Sequence, residues 1–85
     1  MLDVQRILKM MNSEMLYKLF RISDLTEQEY KILQEFIIRE SARDKICEDL
    51  NISRSTFTNS KNIALTKVKI SLTNLLDEKI KQMSK

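Results

Sequence analysis

The chain has no glycine, no proline, no histidine and no tryptophan, and it has one cysteine. Tight β-hairpin turns depend on residues such as glycine and proline, so a β-rich fold is disfavoured and a helical bundle is not. A lone cysteine cannot close an internal disulfide. With no histidine beside it, a zinc site or a Cys–His nucleophile lacks its parts. There is no glycine-rich phosphate loop and no nucleophile–base pair. The clustered acids Asp44, Glu48 and Asp49 read as solvated carboxylates on a polar helix face. A protein without enzymatic activity, metal or other cofactor is therefore expected. No apolar run reaches the length of a membrane span, and Asp3, Arg6 and Lys9 interrupt any signal-peptide pattern. The expected compartment is the cytoplasm.

What is present suits one small globular domain over residues 1–85, with 42% apolar and 32% charged residues. That length lies near the lower limit for a self-sufficient core, so a partner or second copy is a natural source of added stability. The net charge of +3 is unevenly placed. Residues 1–40 carry six basic and seven acidic side chains, a net of −1; residues 41–85 carry nine and five, a net of +4. Between Asp49 and Asp77 there is no acid, while Arg54, Lys61, Lys67 and Lys69 are present. An acid-free basic stretch is what contact with phosphates requires, although a solvated, mildly basic face has the same composition.

Hydrophobic spacing predicts an amphipathic helix over 2–20, on Val4, Ile7, Leu8, Met11, Met15, Leu16, Leu19 and Phe20, widened by Leu2, Met10 and Tyr17. It is read as a packing or dimerisation element within residues 1–22. Thr26 followed by Glu29 is a capping-box pattern, and Leu25 with Tyr30 can form the accompanying hydrophobic staple. A helix is expected from Glu27 to Arg39, with Tyr30, Ile32, Leu33, Phe36 and Ile37 inward. Ser41 is the expected cap of a short helix over Ala42–Leu50. Asn51 then supplies a left-handed backbone position at lower cost than most residues, and Ser53 is a good N-cap for a helix starting at Arg54. That last helix has no breaker. It reads either as one helix of nearly thirty residues or as two with a bend near Ser71–Asn74. The expected fold is all-α, a helix-turn-helix bundle of four to five helices with a long C-terminal helix. Its core is read at 26–66 and a helical extension at 67–83.

Asp44-Lys-Ile-Cys-Glu-Asp-Leu-Asn-Ile-Ser-Arg-Ser-Thr-Phe57, with Leu25-Thr-Glu-Gln-Glu-Tyr-Lys-Ile-Leu33 before it and Ala64-Leu65 after it, resembles the helix-turn-helix of sigma-factor region 4 and of related small phage regulators. The family usually has Gly where this chain has Asn51, Ala where it has Cys47, and an apolar residue where it has Lys61. The first two replacements suit the same backbone and packing roles. The third implies an inward face that is rotated, or carried by Ile63 and Ala64. The resemblance covers about half of the chain. It implies a transcription regulator that reads a promoter element or operator, in a phage or other mobile element.

In a helix-turn-helix the start of the second helix enters the major groove. Arg54, Ser55, Thr58 and Asn59 are the candidate base-reading residues, since Arg matches guanine, Asn matches adenine, and Ser or Thr accept either. Arg43, Lys45, Ser53, Lys61 and Lys67 are the candidate phosphate contacts. Leu72, Leu75, Leu76 and Ile80 extend the apolar stripe past this segment and are the candidate dimer interface. The expected partners are double-stranded DNA and a second copy of the chain, with RNA polymerase a further candidate and no membrane. The rival reading keeps the same shape but binds RNA polymerase, a sigma factor or itself without touching DNA. The rival to the dimer folds the N-terminal helix over the same stripe within one subunit.

Overall fold

The computed structural model describes residues 4–83, with side chains described over 4–77. It is all-helical: α1 is Val4–Met10, α2 Ser13–Ile22, α3 Glu27–Leu33, α4 Arg43–Leu50 and α5 Arg54–Met83. A π-helical turn, Gln34–Ile38, continues α3. At 1.5 Å per residue, the 30 residues of α5 span about 45 Å, which accounts for most of the 50 Å long axis of the molecule. α5 is one helix, without a bend that divides it near Ser71–Asn74. Leu2 lies outside the described residues, and the side chain of Ile80 outside those described.

The N-terminal segment is two helices and not one. Asn12 has extended backbone (φ −74°, ψ 163°), and its side chain accepts a hydrogen bond from the Met15 amide at 2.9 Å. A side chain that satisfies an orphan amide at a helix start favours a new helix over continuation of the old one. The three-four apolar spacing runs across this break unchanged, which is why spacing alone merges the two helices. At α3 the capping box is complete. Thr26 Oγ1 accepts from the Glu29 amide at 3.2 Å, and Glu29 Oε1 accepts from the Thr26 amide at 2.8 Å. The N-cap of α4 is Ala42, which offers no side-chain bond; Ser41 Oγ instead donates to Glu35 at 3.4 Å, across the end of the π turn.

With no glycine available, three of the described residues hold left-handed backbone: Asp24 (φ 53°), Glu40 (φ 54°) and Asn51 (φ 55°). Each follows the end of a helical segment. Asn51 is the best defined of them. The Ile52 amide donates to the Cys47 carbonyl at 2.9 Å, and the Asn51 amide to the Glu48 carbonyl at 3.2 Å. These two bonds are a Schellman motif, which satisfies carbonyls that the end of α4 would leave unpaired.

The core has two parts. The larger one joins Val4 and Leu8 of α1, Leu16, Leu19 and Phe20 of α2, Leu33 and Ile37, and Ala64 and Val68 of α5. Leu25 and Tyr30, the expected staple, both pack against it. The smaller part lies under the helix-turn-helix and joins Ile32, Ile46, Cys47 and Phe57. Phe36 packs against both. The inward face of α5 is therefore Phe57, Ala64 and Val68, while Ile63 is exposed. Of the two residues expected to replace an apolar Lys61, only Ala64 faces in.

Glu29 is a buried acid, and its carboxylate also accepts from Lys67 Nζ at 2.8 Å. Burial alone would raise its pKa. The Lys67 bond, followed by the bonds with Thr26, outweighs that and holds the carboxyl below its ordinary value of 4.5. The hydrogen-bonded pair thus ties the start of α3 to the middle of α5. Among the described residues no buried side-chain polar atom lacks a partner.

Two outcomes follow. Asn51→Gly should be neutral or stabilising, while Asn51→Val should cost about 1–2 kcal/mol in thermal melting, because a β-branched side chain resists positive φ. Equal stabilities would contradict the turn. Because the folded pKa of Glu29 is depressed, its contribution is complete above the unfolded value and is lost as pH falls through the folded one. The stability gap between the native chain and Glu29→Gln should be full at pH 7 and shrink below about pH 4.5. A gap that persists undiminished to strongly acid pH would show that the charge has no such role.

Candidate nucleic-acid interface

The turn at Asn51 and the cap at Ser53 decide how the first turns of α5 are presented. Ser53 Oγ accepts from the Thr56 amide at 3.1 Å and donates to Thr56 Oγ1 at 2.9 Å. The Phe57 amide bonds the Ser53 carbonyl at 2.9 Å. Phe57 is fully buried and makes an edge-to-face contact with Phe36, ring centroids 5.7 Å apart. Burying a side chain of this size contributes about 2–3 kcal/mol, enough to fix the helix's rotation about its axis. With Phe57 inward, Ser55, Thr58 and Asn59 must point out, and Arg54 is exposed at the first position of the helix. All four are exposed, and together they line one shallow open depression of about 390 Å³. The four candidate base-reading residues thus share one surface.

The candidate phosphate contacts divide. Arg43 and Lys45, on the first turn of α4, are exposed, as is Ser53. Lys61 and Lys67 are engaged within the fold. Lys61 Nζ lies 5.4 Å from the centroid of the Phe36 ring and 5.9 Å from that of Phe57. Its aliphatic stem stands where the resembled family has an apolar side chain, and its ammonium meets the faces of the two rings. This is how a lysine fits the inward edge of α5 without rotating the helix. Lys67 Nζ is bound to Glu29 and lies 3.4 Å from the Asp24 carbonyl. Neither role is visible from spacing alone, because Phe36 and Glu29 lie more than twenty residues from their lysines in sequence.

Asp44, expected from the sequence to be only a solvated carboxylate, is instead paired with Arg54. Its carboxylate meets Arg54 twice, Oδ1 to Nε at 3.2 Å and Oδ2 to Nη2 at 3.3 Å. Arg43 Nε lies 3.7 Å from the same Oδ1. The one signal available was its place in the first turn of α4, one turn from the Schellman loop.

Of the candidate dimer residues, Leu72 packs partly against the larger core, while Leu75 and Leu76 are 41% and 46% exposed. Ser71 Oγ lies 3.4 Å from the Ile22 carbonyl, so the exposed Ile22 side chain belongs to the same region. Cys47 is buried, with its thiol 3.9 Å from the Ser53 carbonyl. Among the described residues no group of three or more Cys, Asp or Glu side chains is placed to hold a metal ion, and no helix is long and apolar enough to cross a membrane.

The lysine–aromatic arrangement gives a direct test. Lys61→Leu should hold or raise the melting temperature, since the ring faces stay covered. Lys61→Ala should lower stability by about 1 kcal/mol. An alanine variant as stable as the native chain would show that the stem contributes nothing to packing.

No curated protein and no solved structure matches the chain. One family model does, over residues 5–69, which takes in α1 to α4 and the first half of α5 and stops short of Leu72. The N-terminal helices, which the region-4 resemblance did not reach, are thus part of the matched unit. The chain belongs to the family described as "Protein of unknown function (DUF1492)".

Proposed function

We propose that this chain is a sequence-specific DNA-binding transcription regulator of the cytoplasm, without enzymatic activity, that reads the major groove with the start of α5. The observation that carries this reading is the shared surface of Arg54, Ser55, Thr58 and Asn59. These side chains have the hydrogen-bonding repertoire that base edges require. They stand on a helix held at its start by a cap and by a buried phenylalanine, and Asp49 and Asp77 are the nearest acids on either side in sequence. Arg43, Lys45 and Ser53 flank the surface and serve as phosphate contacts. Lys61 and Lys67 act as braces within the fold. The resemblance to sigma region 4 supports the same docking.

Phosphate binding must weaken with salt. With Arg43 and Lys45 as the two cationic phosphate contacts, the plot of log K against log salt should fall with a slope of about −2. Arg54→Ala should cost about 1–3 kcal/mol on a selected duplex and relax preference at one base pair. Tight binding independent of salt, or an Arg54→Ala variant with unchanged affinity and selectivity, would contradict the reading role.

The exposure of Leu75 and Leu76, beyond the helices that cover Ala64 and Val68, favours a second element of the proposal. Two copies join through Leu72, Leu75, Leu76 and Ile80. A two-fold pair would present two α5 starts to half-sites of a palindrome. Sedimentation equilibrium should show a species of twice 10.1 kDa as concentration rises. A single 10.1 kDa species throughout would leave a monomeric reader, or a module that uses this stripe for RNA polymerase or a sigma factor.

A further inference from the structure

We infer that Asp44 is the positioning residue that presents Arg54 to a guanine; the inference rests on the duplex-reading role of α5. A guanidinium has two edges that can each make a paired, two-bond contact. One is the side edge, formed by Nε–H and a hydrogen of Nη2. The other is the end edge, formed by the outer hydrogens of Nη1 and Nη2. The Asp44 carboxylate lies along the side edge: Oδ2 accepts a hydrogen bond from Nη2 at 3.3 Å, and Oδ1 stands 3.2 Å from Nε as an ion pair. The end edge remains for a ligand. Two parallel N–H groups at that spacing match the O6 and N7 acceptors of guanine in the major groove. Adenine offers a donor at the position of O6 and does not match.

The pair is poorly suited to a stabilising role. The Arg54 and Asp44 side chains are 68% and 65% exposed, and exposed pairs add little to stability. What the contact does is orient. Asp44 sits on the first turn of α4, which the Asn51 turn fixes relative to α5, so the carboxylate is a rigid anchor for a flexible arginine. The contact places the guanidinium beside Ser55, Thr58 and Asn59, before any DNA arrives. Arg43, 3.7 Å from the same carboxylate oxygen, offsets the repulsion between that carboxylate and nearby phosphates.

The experiment is a selection of the full chain against a randomised duplex library, run with the native protein, Arg54→Ala, Asp44→Asn and Asp44→Ala. Anisotropy titrations then use the winning duplex and the same duplex with 7-deazaguanine at the base that Arg54→Ala no longer selects. The native chain should lose about tenfold in affinity on the 7-deaza duplex. Both Asp44 variants should bind the guanine duplex more weakly and discriminate less against 7-deazaguanine. Asp44→Ala added to Arg54→Ala should cost nothing further. Helical circular dichroism melts check that each variant folds, and the exposure of both side chains makes folding the expected result. If Asp44→Ala tightens binding to all duplexes alike, the carboxylate merely repels phosphate and the inference is overturned. Undiminished guanine preference in both Asp44 variants overturns it equally, while the Arg54 result stands. A native chain that enriches no sequence overturns the reading role itself, and shows this before any variant is compared.

Discussion

The turn between α4 and α5 is the constraint from which the candidate interface derives. A chain without glycine must close it on a residue with a Cβ, and Asn51 tolerates the left-handed conformation at modest cost. The Schellman bonds to Cys47 and Glu48 then satisfy the end of α4. Ser53 satisfies the start of α5, and Phe57 locks that helix's rotation by burying itself against Phe36. Once those three positions are set, the outward direction of Ser55, Thr58 and Asn59 is no longer free, and Arg54, exposed at the helix start, is met by Asp44. A short run of backbone and capping chemistry thus converts a sequence pattern into a defined polar surface.

The rest of the molecule serves α5 as a spine. Its first turns close the small core under the helix-turn-helix, and its middle closes the larger core built by α1, α2 and the end of α3. Phe36 belongs to both, so the presentation of the candidate surface and the packing of the N-terminal helices are physically linked. The Glu29–Lys67 pair adds a polar link between the start of α3 and the middle of α5. The family match over residues 5–69 fits this division, since it includes every helix that builds either core.

Much of this was legible in the sequence wherever a local rule acted alone. The capping box at Thr26 and Glu29, the left-handed Asn51 and the Ser53 cap each depend on residues within four positions of one another. The break at Asn12 obeys the same local chemistry, with Ser13 and Glu14 following it as a helix-start signature, but an unbroken apolar spacing hid it. Ser41 was a good cap by type, yet Glu35 claimed its hydroxyl once the π turn brought the two together. Lys61 and Lys67 looked like outward cations because sequence shows charge and not distance. Their partners, Phe36 and Glu29, come near only after folding. The Asp44–Arg54 contact was hidden for the same reason, across a turn whose geometry sets it.

The most direct measurement is an amide NMR titration of the isotope-labelled chain with a selected duplex at moderate salt. If the start of α5 enters the groove, the largest shifts should fall on Ser53 to Asn62 and on Arg43 to Lys45, with α1 and α2 little changed. Shifts concentrated on α1 and α2, or on the Leu72–Leu76 stripe with Arg54 to Asn59 unmoved, would contradict the account.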